Sequence, residues 1–142
     1  MICSKFISAE FDGFGRSCDV LWFKFKNNNG EIYIHAQCWV RIFIEENFYI
    51  SSDFIYHTLD NSADWDVFGN TIYDKRMFDI IDKIVGKRVK KFSKTGVGDY
   101  SIDIDDCCTI QLIANRPNDE NWRAIIEKTH YVLRNNEFEI EE

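Results

Sequence analysis

Proline is nearly missing from this chain: Pro117 is the only one in 142 residues. No repeat, low-complexity tract or linker divides the sequence either, so it reads as one domain spanning 1–142. Long apolar runs are also missing. Ile42-Phe43-Ile44 and Ile110 to Ala114 are broken by polar residues far short of the ~20 that a membrane span requires, which excludes a spanning helix. The opening Met1-Ile2-Cys3-Ser4-Lys5-Phe6 lacks a basic region followed by an apolar stretch and a small-residue cleavage site. Secretion is therefore not expected, and a cytoplasmic location is.

Positive charge is in short supply, with 17 Lys and Arg against 24 Asp and Glu, a formal charge of -7 and a pI near 5.0. Nonspecific nucleic-acid affinity depends on an excess of Lys and Arg, so a nucleic-acid partner is not expected and a basic protein partner is. Five cysteines, at 3, 18, 38, 107 and 108, form an odd set without regular spacing. Adjacent Cys107 and Cys108 would need strained geometry to bridge each other. Reduced thiols are expected, with Cys38 and Cys108 acting as small apolar residues on strand faces.

Motifs for metals and cofactors are absent as well. There is no Cys-x-x-Cys pair, no His-Glu-x-x-His helix and no phosphate-cradling glycine loop, so neither a metal nor a cofactor is expected. Asp60, Ser62, Asp64 and Asp66 place oxygen atoms at alternate positions. Trp65 stands where a calcium loop needs glycine, however, and Thr71 where it needs a bidentate Glu. Gly13-Phe14-Gly15 reads as a turn signal only. No catalytic residue is assigned: Cys38 lies three positions from His35, and residues three apart on a strand point to opposite faces.

Aromatic residues are what the chain has in quantity: 12 Phe, 6 Tyr and 4 Trp, or 15%. Such content favours strands over bundled helices, and 142 residues can bury about two-thirds of their unfolded surface. Cys18 to Lys26 alternates as a strand, with Leu21, Phe23 and Phe25 on one face. Asn27-Asn28-Asn29-Gly30 then supplies a hairpin loop. From Glu31 the even positions Ile32, Ile34, Ala36, Cys38, Val40, Ile42 and Ile44 are all apolar. Fifteen residues exceed the usual strand of about five or six, so a bend or bulge is expected near Gln37 to Trp39.

Phe48 to Tyr56 reads as a third strand and 58–69 as an exposed loop. Met77, Phe78, Ile81, Ile84 and Val85 share a helical face, with Asp74 in the first turn and Gly86 at the close. A meander follows through Arg88 to Lys94, Tyr100 to Ile104 and Cys107 to Ala114. After Pro117, Asn118 can cap a short helix carrying Trp122, Ile125 and Ile126, and Tyr131 to Leu133 begins a last strand. The expected class is α+β: a mainly antiparallel, meander-like sheet of about six to seven strands, one main helix near 72–86 and a short helix near 118–127.

The odd face of the long strand presents Tyr33, His35, Gln37, Trp39 and Arg41, a polar and aromatic row suited to a partner interface or a ligand groove. The same row would also serve as an ordinary second sheet face, partly covered by the helix. Asp53 and the loop residues Asp64, Trp65 and Asp66 complete the candidate binding set. Lys83, Lys87, Arg88, Lys90, Lys91 and Lys94 form a basic segment that can pair with Asp99, Asp103, Asp105 and Asp106 of the next hairpin.

His35-Ala36-Gln37-Cys38, Arg41-Ile42, Ser52-Asp53 and Asp64-Trp65-Asp66 precede Glu120-Asn121-Trp122-Arg123 and an acidic C-terminus. Their order resembles that of a family of small, uncharacterised bacterial proteins, and the match spans most of the chain. Such proteins are similar in size, charge and fold type to the immunity proteins of bacterial polymorphic-toxin systems. The resemblance implies a non-catalytic protein-binding module. An alternative is a binder of small anionic ligands, or a weak hydrolase, in which His35, Arg41 and Asp53 converge at the sheet edge. The chain would be a monomer, or a homodimer through an exposed sheet edge.

Overall fold

The computed structural model describes residues 1–141. Strand periodicity dominates it: β1 (Glu10–Ser17), β2 (Val20–Asn27), β3 (Gly30–Ala36), β4 (Trp39–Ile44) and β5 (Asn47–Ser51) precede the helix α1 (Ile72–Ile84). After the helix come β6 (Val89–Lys94), β7 (Tyr100–Ile104), β8 (Cys108–Ile113), β9 (Glu120–Ile126), β10 (Thr129–Arg134) and β11 (Glu137–Glu141). They form two antiparallel sheets, ordered β1-β2-β3-β9-β10-β11 and β5-β4-β8-β7-β6. The class is α+β and mainly antiparallel, as the alternation predicts, but eleven strands are present among the described residues rather than six or seven.

The long apolar run from Ile32 to Ile44 explains how two sheets share one core. Its even residues Ile32, Ile34, Ala36, Cys38, Val40 and Ile42 are all buried in one cluster, yet the strand breaks at Gln37 and Cys38, whose N–H groups both donate to the Asn121 carbonyl. The expected bend is thus a corner at which the chain leaves one sheet and enters the other, a device that closes two packed sheets. Side-chain parity survives the corner, so the apolar face stays inward on both sides of it. Ala36 lies opposite Trp122 and Ala124 opposite Ile34, small against large, which lets the fully buried Trp122 ring fill the interior beside Phe92, Tyr100 and Phe138.

Helix α1 starts at a capping box, in which the Thr71 hydroxyl accepts from the Asp74 N–H and the Asp74 carboxylate accepts from the Thr71 N–H. Its buried face is Tyr73, Met77, Ile80 and Ile84, a spacing of four, three and four. The expected face centred on Met77, Phe78 and Ile81 is therefore rotated, and Phe78 and Val85 are exposed. Phe78 packs on Phe14 and Phe68 at 5.2 and 5.4 Å instead. The helix sits against β1, β5 and the short 3-10 segment Ser52–Tyr56, and that segment replaces the second half of the expected third strand.

Two further expectations give way. The segment 118–127 is not a short helix but β9: Trp122, Ala124 and Ile126 are buried while Arg123 and Ile125 are half-buried. Trp122, Ile125 and Ile126 satisfy a helical spacing, but Trp122, Ala124 and Ile126 satisfy a strand spacing equally well, and pairing with both β3 and β10 decides between them. Gly13-Phe14-Gly15 lies inside β1 rather than in a turn. Gly13 stands at a bulge, and a Cβ at Gly15 would come within 2.0 Å of the Trp22 ring, so glycine is required there by close approach rather than by a turn.

Three hairpins close with both turn residues at positive φ: Glu45-Glu46, Glu127-Lys128 and Asn135-Asn136. This is the conformation that suits the twist of paired strands, and Asn-Gly is the sequence that adopts it with least strain. At Glu45 (φ 50°) and Glu46 (φ 71°) the side chains oppose it. Replacing the pair by Asn-Gly is expected to stabilise the protein by about 1 kcal/mol, seen as a higher urea midpoint at unchanged slope; an equal or lower midpoint would refute the strain.

Candidate functional site

The corner at Gln37 and Cys38 separates the row that the sequence places on one strand. Tyr33 and His35 stand on the outer face of the six-stranded sheet, Trp39 and Arg41 on the outer face of the five-stranded sheet, and Gln37 at the junction. Asp53 belongs to the exposed first turn of the 3-10 segment. Asp64, Trp65 and Asp66 lie in the surface loop before α1, where Trp65 packs on Tyr56 at 4.7 Å. His35 thus lies on a different sheet from Arg41, whereas the segment carrying Asp53 adjoins β4, so the geometry corrects the three-residue convergence that an anionic-ligand or hydrolytic site requires. The cause is the sheet switch, which no periodicity reveals because both strands keep the same parity.

On the six-stranded sheet the pairing assembles a group that one strand alone does not show. Trp22 lies opposite His35, and His35 lies opposite Arg123. Trp22 meets Tyr33 edge-on at 6.4 Å, and Tyr33 meets His35 at 6.0 Å. Arg123 forms a two-pronged pair with Glu120, shares a 2.7 Å contact with His130 Nδ1 and reaches Glu141 at 3.4 Å. His35 is held below its ordinary value by burial first and then by Arg123 and His130 nearby, which keeps it neutral. The helix expected over 118–127 hides this role of Arg123: on a strand it becomes an outward residue beside His35, and His130 meets it from the neighbouring β10.

The outer face of the five-stranded sheet is uncovered. Along β4 it carries Trp39, 53% exposed, then Arg41 and Phe43, with Phe48 of β5, 57% exposed, beside Phe43 at 5.6 Å. The Arg41 Nε donates to Gln111 Oε1 at 3.0 Å, and the guanidinium lies 5.5 Å from the centre of the Phe43 ring. Helix α1 packs against β1 and β5 and does not cover this row. At the end of the face, a depression is lined by Glu45, Glu46, Asp103, Asp105 and Asp106 with Lys90 and Lys91. Lys90 pairs with Asp106 at 2.9 Å, and Arg88 turns instead to Glu10.

Comparison with known protein families, with curated proteins and with solved structures finds no match. What the site can do therefore rests on its chemistry alone. Burial pushes the Cys38 and Cys108 thiols up to about 12 and Cys3 up to about 11, so none of these three supplies a thiolate at neutral pH. Cys38 is buried on the inner face and His35 points outward, as the strand geometry predicts. Among the described residues no group of three or more His, Cys, Asp or Glu is placed to hold a metal ion. No helix among them is long and apolar enough to cross a membrane.

Proposed function

We propose that this chain is a non-catalytic protein-binding module, of the type seen in immunity proteins, which docks a basic protein surface on the outer face of its five-stranded sheet. The observation that carries the reading is the uncovered row of Trp39, Arg41, Phe43 and Phe48 leading to a depression lined by five carboxylates. Tryptophan and arginine are the residue types that most often dominate interface energy, and aromatic residues are enriched where partners meet. The carboxylates supply long-range attraction for a cationic partner, which speeds encounter and selects against acidic competitors. The chain's formal charge of -7 acts in the same direction.

Affinity purification from the native cell, followed by mass spectrometry, is expected to return a stoichiometric basic protein. Replacing Trp39 and Arg41 together by alanine should weaken that complex by at least ~2 kcal/mol, whereas the same change at Tyr33 and His35 should leave it intact. Titration calorimetry at low and high salt reads both effects. Recovery of no partner at low salt, or equal losses from the two double variants, would overturn the reading.

A further inference from the structure

A two-sheet fold has four edge strands, and at three of them the chain bonds, charges or overlays part of the edge. The start of β1 is bonded to the segment that leads into β6: the Phe11 N–H donates to Lys87 O, and the Gly86 N–H donates to Phe11 O. The free remainder of β6 carries Lys90, Lys91 and Lys94 behind a bulge, which are devices that discourage strand addition. At β5, Arg76 of α1 donates to the Tyr49 carbonyl at 2.9 Å and stacks on the Tyr49 ring at 4.0 Å. The fourth edge, β11, pairs with β10 on one side and has no strand on the other among the described residues.

Its sequence is Glu-Phe-Glu-Ile-Glu. Arg134 and Glu137 flank the two-residue turn Asn135-Asn136 and so form its closing hydrogen-bonded pair, which directs the N–H and C=O of Glu137, Glu139 and Glu141 toward β10 and those of Phe138 and Ile140 toward the open side. Ile140 is 65% exposed. Arg134 reaches Glu139 and Arg123 reaches Glu141, each at 3.4 Å, but both carboxylates keep 59% of their side-chain surface in solvent. A second copy is a poor occupant: an antiparallel pairing centred on Glu139 would set glutamate against glutamate at every outward position, and facing like charges destabilise a strand pair.

We propose that β11 receives an added strand from a basic protein, a strand whose lysines or arginines alternate with apolar residues. The cations face the three glutamates, and the apolar side chains cover Ile140. This mode of recognition draws affinity from main-chain hydrogen bonds and specificity from alternate side chains. It uses a different sheet from the docking face of Trp39 and Arg41 and stands without it.

The test uses the full chain, isotopically labelled, and a capped peptide alternating lysine and valine. Binding is expected to slow hydrogen exchange at the Phe138 and Ile140 amides, to weaken as salt screens the glutamates, and to vanish for a peptide alternating glutamate and valine. Ile140→Pro deletes an edge N–H without touching the β10 ladder and should weaken peptide binding at least about tenfold, while Trp39→Ala with Arg41→Ala should leave it unchanged. No binding, an unaffected Ile140→Pro variant, or protection mapping to the Glu45 and Asp105 turns would each overturn the proposal. Loss through the Trp39 and Arg41 variant would overturn it too, by assigning the peptide to the other face.

Discussion

Replacing Arg16 by methionine is expected to cost about 3–5 kcal/mol of stability, the usual penalty for leaving a buried charge without its partner. Arg16 and Asp74 side chains are both fully buried. Arg16 Nε and Nη2 donate to the two Asp74 oxygens at 3.0 and 2.7 Å, and its remaining donors reach the carbonyls of Cys18 and Val67. Asp74 also accepts from the N–H groups of Gly69 and Thr71. One ion pair therefore ties β1 to the start of α1 and to the loop that carries Trp65.

Acid dependence separates this account from a simple packing defect. Burial raises the Asp74 carboxyl, but the bonds from Arg16, Gly69 and Thr71 outweigh it and hold the group below its ordinary 3.8. A carboxyl depressed on folding contributes stability above its unfolded value, and that contribution is lost as pH falls below 3.8 toward the folded value. Without Arg16 the burial remains and its main counterweight is gone, so the carboxyl moves upward and takes up a proton more readily. The gap between native protein and Arg16→Met should accordingly narrow between neutral pH and about pH 4. Adding Asp74→Asn should recover part of the loss at neutral pH, a coupling read from urea midpoints of the four proteins. A gap that is the same at both pH values, and no recovery in the double variant, would show that the ion pair is not what is lost.

The strands with clean alternation were legible because a half-buried strand needs little else: Leu21, Phe23 and Phe25 of β2 and the even residues from Ile32 to Ile42 are buried as their spacing predicts. What stayed hidden depends on contacts distant in the chain. β1 carries a glycine, Gly15, whose reason, the Trp22 ring, exists only once β2 is in place. β9 offers two periodicities, and the choice is made by β3 and β10. The candidate site suffered most from this. Two of the row's five residues, Trp39 and Arg41, are exposed as the pattern implies, but Arg123, which lies opposite His35, comes from a strand about ninety positions away through cross-strand pairing.

The residue that converts one long apolar run into two sheets is Asn121, and its loss is expected to be nearly as costly as that of Arg16. Its carbonyl holds the N–H groups of Gln37 and Cys38 at the corner. The residue is 4% exposed, and its side chain accepts from the N–H groups of Asn115 and Arg116 at 3.0 Å through Oδ1 and donates to the Arg116 carbonyl at 3.1 Å through Nδ2. Asn121→Ala keeps the first pair of bonds and removes the second set, leaving two part-buried N–H groups and a carbonyl without partners. The expected cost is about 2–4 kcal/mol. Asn121→Asp retains the acceptor but not the donor, so it should lose less than alanine at neutral pH. Because the 115–119 loop positions β9 against the corner, Asn121→Ala should also speed hydrogen exchange at Gln37 and Cys38, although their acceptor is main chain and is untouched. An alanine variant of unchanged stability, with unchanged exchange at those two amides, would mean that the corner is set by the core side chains Ala36, Cys38 and Val40 and not by the asparagine that brackets it.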